Sequence, residues 1–332
     1  MKNVQKQRDS RVQYPSKIAS NFTFGIEIEC TVPHSAIRAN RVAIGNYHNG
    51  IPLPEGYGFP EGGWTAEYDS SIRSNGAQAV EFVSPVLKGL AGLESVKQMV
   101  EKIREMGGHI NGSCGMHIHV GVKSIAGNNF EKVAAFLGNL LTVTSVSEKA
   151  LYAMNGERRR ERGIYCQTIK TPEYQEAAYH VKAADNGHKW SAFELALYGM
   201  NRRRLLNVRN LFNPDRPNTI EFRFGAGTLN WVKIWSYIFV IFGLCELAKQ
   251  NLPSTKWDRP EQNARAYPEV GHGEAEILRL IDRLAWNPRT WVQHKSDTLQ
   301  LKGFFHADLR ILTKVKNMMI RMAKKYDNIS RY

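Results

Sequence analysis

Hydrophobic and polar positions alternate with period two in four short stretches of the chain, and their polar positions are of an unusual kind. In Phe24-Gly25-Ile26-Glu27-Ile28-Glu29-Cys30 the apolar side chains fall on one side, with Gly25, Glu27 and Glu29 on the other. Cys114-Gly115-Met116-His117-Ile118-His119-Val120 repeats the pattern with Gly115, His117 and His119. Thr219-Ile220-Glu221-Phe222-Arg223-Phe224 does so with Thr219, Glu221 and Arg223, and Val80-Glu81-Phe82 with Glu81. The alternation predicts strands over residues 22–32, 78–83, 114–121 and 219–224, with a further strand-like piece near 64–68.

Helical spacing lies between them. Leu93, Val96, Val100 and Ile103 form an apolar stripe over 88–106, which Gly107-Gly108 stops. A second helix starts after Asn128 or Asn129 as N-cap and runs through Phe130, Val133, Leu137, Leu140 and Leu141. Further helices are expected at 189–200, at 231–249 with Asn230 as cap, and near 273–285 and 309–325. Strands separated by long helical stretches predict an α+β fold. Residues 45–63 hold six glycines and three prolines, which predicts a loop, and one of that length in a compact domain is more often functional than idle.

The polar faces carry the candidate chemistry. A sheet face turned to water is usually rich in Thr, Lys, Ser and Gln, whereas these positions hold carboxylates, imidazoles, an arginine and small residues. Glu27 and Glu29 would repel each other without a cation between them. Four carboxylates and a histidine converging on a concave sheet suit hard, oxygen-preferring divalent ions such as Mg2+ or Mn2+. A zinc or iron site of two histidines and a carboxylate is the rival reading, disfavoured because carboxylates outnumber imidazoles. No G-x-x-x-x-G-K-[ST], no G-x-G-x-x-G opening a helix and no G-x-S-x-G is present, so P-loop, Rossmann and serine-hydrolase chemistry have no positive signal.

Composition adds less than its totals promise. Of the 332 residues 45 are Lys or Arg and 31 Asp or Glu, a net charge of +14 that on its own points to a polyanion partner. Residues 1–20 hold a net +4 and residues 313–332 a net +5, so the two ends carry nine of the fourteen. Inside the chain, Arg158-Arg159-Arg160 and Arg202-Arg203-Arg204 form local clusters. The four cysteines are scattered without C-x-x-C spacing, and residues 1–20 lack the apolar core of a signal peptide; both predict a reducing, cytoplasmic setting. The most apolar run, 234–245, is too short to span a bilayer and predicts a buried helix.

The four strand motifs, with Glu81-Phe82-Val83-Ser84-Pro85 between the first and third, resemble the amidoligase family, a branch of the glutamine synthetase-like carboxylate–amine ligases. The matching blocks run from about residue 22 to 235. The resemblance implies a curved, mostly antiparallel sheet with a polar metal and ATP face and helices packed on the apolar face. It implies a catalytic domain over 21–250; the first 20 residues and those after about 250 match nothing in the family, and their composition and helical spacing predict a basic mobile arm at 1–20 and a helical extension at 251–332 packed on the same domain. Glu27, Glu29, Glu81, His117 and Glu221 resemble the metal ligands of such enzymes, and His119 the histidine that touches ATP phosphate. Arg223 resembles the arginine that meets the acidic substrate or its phosphorylated form. Arg203, Arg204 and Asn207 stand where phosphate-binding residues are found, in a register that three consecutive arginines leave open. Asp69-Ser70-Ser71 departs from the relatives' Asp-Gly-Ser, and Asp69 is a candidate for holding the amine, with a loop-capping role equally compatible.

The function implied is an ATP-dependent ligase that joins a carboxylate to an amine, small molecule or peptide, through an acyl phosphate and two divalent ions. A kinase acting on a guanidino group is the alternative within the superfamily, and a basic nucleic-acid-binding protein without catalysis is the alternative outside it. The basic tails could also bring a ligase to an acidic macromolecule.

Overall fold

The hydrogen-bonded frame is built around β1 (Thr23–Val32), whose Phe24, Ile26, Ile28, Cys30 and Val32 are buried on one side. The structure is a computed structural model that describes residues 21–74, 76–155, 165–197, 201–211, 218–249, 271–284, 286 and 302–329. The N-terminal arm, the Arg158–Arg160 cluster and the end of the helix expected at 189–200 lie outside these residues.

Seven further strands join β1: β2 (Ile51–Pro52), β3 (Thr65–Glu67), β4 (Gln78–Val83), β5 (Leu87–Lys88), β6 (Gly115–Gly121), β7 (Leu206–Asn207) and β8 (Thr219–Ala226). They form one antiparallel sheet in the order β2-β3-β4-β1-β6-β8-β7, with β5 paired to the start of β1. Register then decides which polar residues meet. Glu67 stands opposite Glu81, Glu81 opposite Glu29, Glu27 opposite His117, and His119 opposite Glu221. All the ionisable positions read from the alternation therefore fall on one face of one sheet. Between Met116 and Ile118 the β6–β8 register slips by one residue. Such a bulge increases local twist and re-aims the side chains beside it, here at His117.

Helices cover the apolar face. α1 (His34–Ala39), α2 (Gly89–Glu105), α3 (Lys123–Ala126) and α4 (Phe130–Ala153) come before the second half of the sheet. α5 (Pro172–Ala183), α6 (Lys189–Leu197) and α7 (Trp231–Lys249) follow. The caps are those the sequence predicts: Asn129 accepts a hydrogen bond from Lys132 N at 2.9 Å, and Asn230 accepts from Val232 N and Lys233 N. In α7, Phe242 packs on Phe22 and Phe24 with ring centroids 5.2 and 5.5 Å apart, and Tyr237 meets Phe224 of β8 edge-on. α7 is long and apolar enough by composition to cross a membrane, yet 72% of that stretch is buried inside the fold. It is the central core helix.

α8 (Gly273–Arg283) and α9 (Lys302–Ile329) complete the chain. Arg283 reaches Ser147 of α4, Lys233 of α7 donates to Tyr326 of α9, and the Asp327 carboxylate accepts from Gly273 N at the start of α8. Six of these elements, α1, α3, α5, β2, β5 and β7, were not predicted. α5 opens with Pro172 in its first turn, a sequence signal that was present but short. Inside the expected loop at 45–63, β2 pairs with β3 and ties the loop to the sheet edge.

Candidate active site

Four strands deliver the side chains because each packs a wholly apolar face into the core and turns its ionisable residues to the other. β1 supplies Glu27 and Glu29, β4 Glu81, β6 His117 and His119, and β8 Glu221 and Arg223. Glu27 stands at the centre. One carboxylate oxygen lies 2.7 Å from His117 Nδ1 and the other 3.0 Å from His119 Nε2. His117 Nε2 is also 3.7 Å from Glu29 and its Nδ1 3.6 Å from Glu221. Three sets of ligand atoms lie close enough to share an ion: Glu27, His119 and Glu221; Glu27, Glu81 and His117; Glu29, Asp69 and Glu81.

Backbone features hold this arrangement. Gly115 N donates to Glu29 Oε2 at 2.6 Å. A Cβ at Gly115 would stand 3.2 Å from Glu29 Oε1 and 3.4 Å from His117 Nε2, so any side chain there would push on two candidate ligands at once. Asn207 is buried behind Glu221, donating to its Oε2 at 2.7 Å, while its own side-chain oxygen accepts from Arg209 N. Asp69 uses one oxygen to accept from Ser71 N, the loop-capping contact, and remains within reach of Glu29 and Glu81.

The electrostatics divide the row in two. Burial alone would raise the Glu27 carboxyl, but the neighbouring charges of His119 and His117 outweigh it and hold the group well below the ordinary carboxylate range. Glu221 is likewise held down against burial, by His117, Arg223 and His119. Burial would lower the His119 imidazole, but the Glu27 charge raises it. At the other end, burial and then the charges of Glu27 and Glu29 push Glu81 well above the usual range. Glu67, beside it, is raised by burial against the pull of the His48 N–H. One end is thus a set of imidazoles and an arginine beside glutamates held low, and the other a crowded carboxylate group in which burial and mutual repulsion favour the protonated forms.

That donor set fits a hard divalent ion, because the carboxylate oxygens outnumber the imidazoles and their mutual repulsion is what a cation would relieve. The sign follows. An acid whose folded-state pKa is raised stabilises the fold below its unfolded value, and that contribution is lost as pH rises through the raised value. A bound cation reverses the loss, so Mn2+ affinity should rise between pH 5.5 and 7.5. Calorimetry in two buffers of different ionisation enthalpy should show release of about one proton per protein. The Glu81→Gln variant should show none, and equal affinity at both pH values would contradict the arrangement.

The arginines separate. Arg223 pairs with Glu221 and donates through Nε to Tyr165 O, while the Arg203 guanidinium lies over the Tyr165 ring, 5.1 Å from its centroid. Both flank the His119 end of the row. Arg204 points elsewhere, donating from Nη1 to Thr168 O. Sequence reasoning did not find three residues. Glu67 pairs with Glu81, and His48 N donates to Glu67 at 3.1 Å, with the ring of Tyr47 against the His48 ring. Tyr47 is half exposed at the carboxylate end and within electrostatic range of Arg202, Asp69, Glu81 and Glu27. The signal for Glu67 was available as alternation in Thr65-Ala66-Glu67, although three residues are too few to establish a period.

The sequence matches the family described as "Putative amidoligase enzyme" over residues 20–241. No curated protein matches it. Among solved structures, a bifunctional glutathione synthetase from Pasteurella multocida superposes with a TM-score of 0.41 at 10% identity, covering 99% of this chain and 53% of the other. This chain therefore spans about half the length of that protein. A structure described as a novel glutamine synthase homolog gives a TM-score of 0.41 at 11% identity, covering 98% of this chain and 74% of its own.

Proposed function

Because the chain belongs to the amidoligase family, we propose that it is an ATP-dependent carboxylate–amine ligase. The observation that carries this reading is the convergence of Glu27, Glu29, Glu81, His117, His119 and Glu221 into overlapping cation-capable groups, flanked by Arg223 and Arg203.

A carboxylate is a poor acylating agent. Phosphorylation converts it to an acyl phosphate, from which an amine displaces phosphate to leave an amide. Two Mg2+ or Mn2+ ions would supply charge neutralisation on the transferring phosphoryl group and would be held by Glu27, Glu29, Glu81, His117 and Glu221. The chain's own residues do the remaining work. His119, whose imidazole the Glu27 charge raises above its ordinary value, would face phosphate oxygen. Arg223, anchored by Glu221 on one side and the Tyr165 carbonyl on the other, is preorganised to meet a carboxylate or its phosphorylated form. Arg203 adds a second guanidinium on the same side, while Asn207 keeps Glu221 aimed. Asp69, at the opposite end, is suited to an incoming ammonium group. Residues 21–250 are read as the catalytic unit and 251–332 as an extension of it. The buried thiols of Cys30, Cys114, Cys166 and Cys245 support a reducing compartment, the cytoplasm.

The discriminating measurement is phosphate release from Mg-ATP against panels of acids and amines, peptides included. A ligase releases phosphate only when both co-substrates are present. Transfer of phosphate to a guanidino compound without an amine partner would instead identify the kinase chemistry.

A further inference from the structure

α9 is amphipathic in an unusual way. Its inward side is apolar, with Leu312, Val315, Met319, Met322 and Ala323 buried against the rest of the fold. Its outward side exposes Arg310, Lys314, Arg321, Lys324 and Lys325, which helical spacing places on a single arc, and between residues 309 and 326 there is no acidic residue at all. At 1.5 Å per residue this line of five cations is about 22 Å long.

The lysines are fixed rather than loosely solvated. Lys314 of α9 and Lys97 of α2 both lie over the Trp231 ring, 5.9 and 5.8 Å from its centroid. Lys233 of α7 and Lys325 lie over the Tyr326 ring at 5.5 and 5.8 Å, and Lys233 also donates to the Tyr326 hydroxyl. Three helices thus contribute ammonium groups to one surface whose stems rest on two aromatic rings. Among the described residues, Glu94 takes Lys97 and Glu274 takes Lys324. The sequence segments 250–270 and 287–301, outside the described residues, carry five basic and four acidic side chains, so they hold no surplus of negative charge to cancel the face. α9 packs on α7, and α7 on the apolar side of the sheet. The basic face therefore lies away from the carboxylate row and takes no part in it.

We propose that this face binds the phosphate backbone of duplex nucleic acid without reading its sequence. A phosphodiester duplex is a line of closely spaced negative charge that a rigid 22 Å row of cations matches, and lysine acts on phosphate as a point charge. Bidentate recognition of carboxylates on an acidic polypeptide would call for arginines, which are the minority here. Insertion into a bilayer would need an apolar face, and that of α9 is already buried. The uncharged residues on the arc, Thr313 and Asn317, are too few to specify bases, so contacts to phosphate set the affinity.

The test uses the full chain, a fluorescent 20-base-pair DNA duplex and anisotropy across a salt series. With four phosphates neutralised, affinity should fall on the order of a hundredfold between 50 and 200 mM salt, equally for duplexes of unrelated sequence. The K314Q/R321Q/K325Q variant, with an unchanged melting temperature, should bind about thirtyfold or more weakly at 50 mM and show a slope shallower by nearly three. K314R/K325R should bind as the wild type does. Three results would overturn the proposal: no binding at 50 mM salt, equal binding by the glutamine variant, or displacement of the duplex by polyglutamate or phosphatidylserine vesicles at lower concentration than by unlabelled DNA. Each leaves the ligase reading untouched, since that reading depends on the opposite face of the sheet.

Discussion

Exchanging Glu27 for Gln is expected to lower Mg2+-dependent ATP turnover by about 1,000-fold or more, roughly 4 kcal/mol of barrier. Glu27 is shared by two of the three cation-capable groups, and both imidazoles lean on it at 2.7 and 3.0 Å. Glutamine keeps the size and one acceptor but removes the charge. The loss then appears twice: the shared ligand of both groups is weakened, and His119 loses the anion that raises its pKa. The second effect has its own signature. The His119 resonance should titrate at lower pH in Glu27→Gln than in the wild type, while circular dichroism at neutral pH stays the same. Turnover within tenfold of the wild type would remove Glu27 from the machinery, and with it the reading of the centre of the row.

The second large effect concerns the support behind that row. Phe242→Ala should destabilise the protein by about 3–5 kcal/mol and lower its melting temperature by roughly 5–10 °C. Phe242 is fully buried and touches Phe22 and Phe24, so its loss leaves a cavity under the very strand whose other face carries Glu27 and Glu29. The folded fraction should still bind Mn2+, because no ligand is touched. Chemical denaturation with and without Mn2+ separates the two effects. A loss below 1 kcal/mol would mean that α7 does not anchor β1 as described.

How much of this could be read from the chain depends on how local the signal is. The alternation in β1, β4, β6 and β8 was legible because each apolar face is uninterrupted and each polar face carries only chemistry. Asn129 and Asn230 were legible because an N-cap is a contact within one turn. Register was not: nothing near Glu27 in sequence indicates that His117 lies opposite it, or that the β6–β8 ladder slips beside His117. The register of the arginine triplet was not legible for the same reason. Arg204 is turned toward Thr168 by a bridge between Gln167 and its own backbone, a pairing set by distant residues, which leaves Arg203 beside Arg223. Tyr47 and His48 needed tertiary structure as well. Their turn is fixed on β3 by Gly45, whose N–H donates to Ala66 O and whose missing side chain is what lets Asn49 O approach. The charge total was the least informative number, because the acidic centre and the basic face of α9 have opposite meanings and are summed in it.

The account stands most directly on whether ATP activates a carboxylate. Once the phosphate-release panels identify a reacting acid, its carboxyl oxygens can be labelled with 18O and the released phosphate analysed by mass. Transfer through an acyl phosphate predicts one labelled oxygen in each phosphate released, in the presence of the amine and Mg2+. Phosphate that carries no label would mean that the carboxylate is never phosphorylated, and the proposed chemistry of the Glu27–His119–Arg223 face would be wrong.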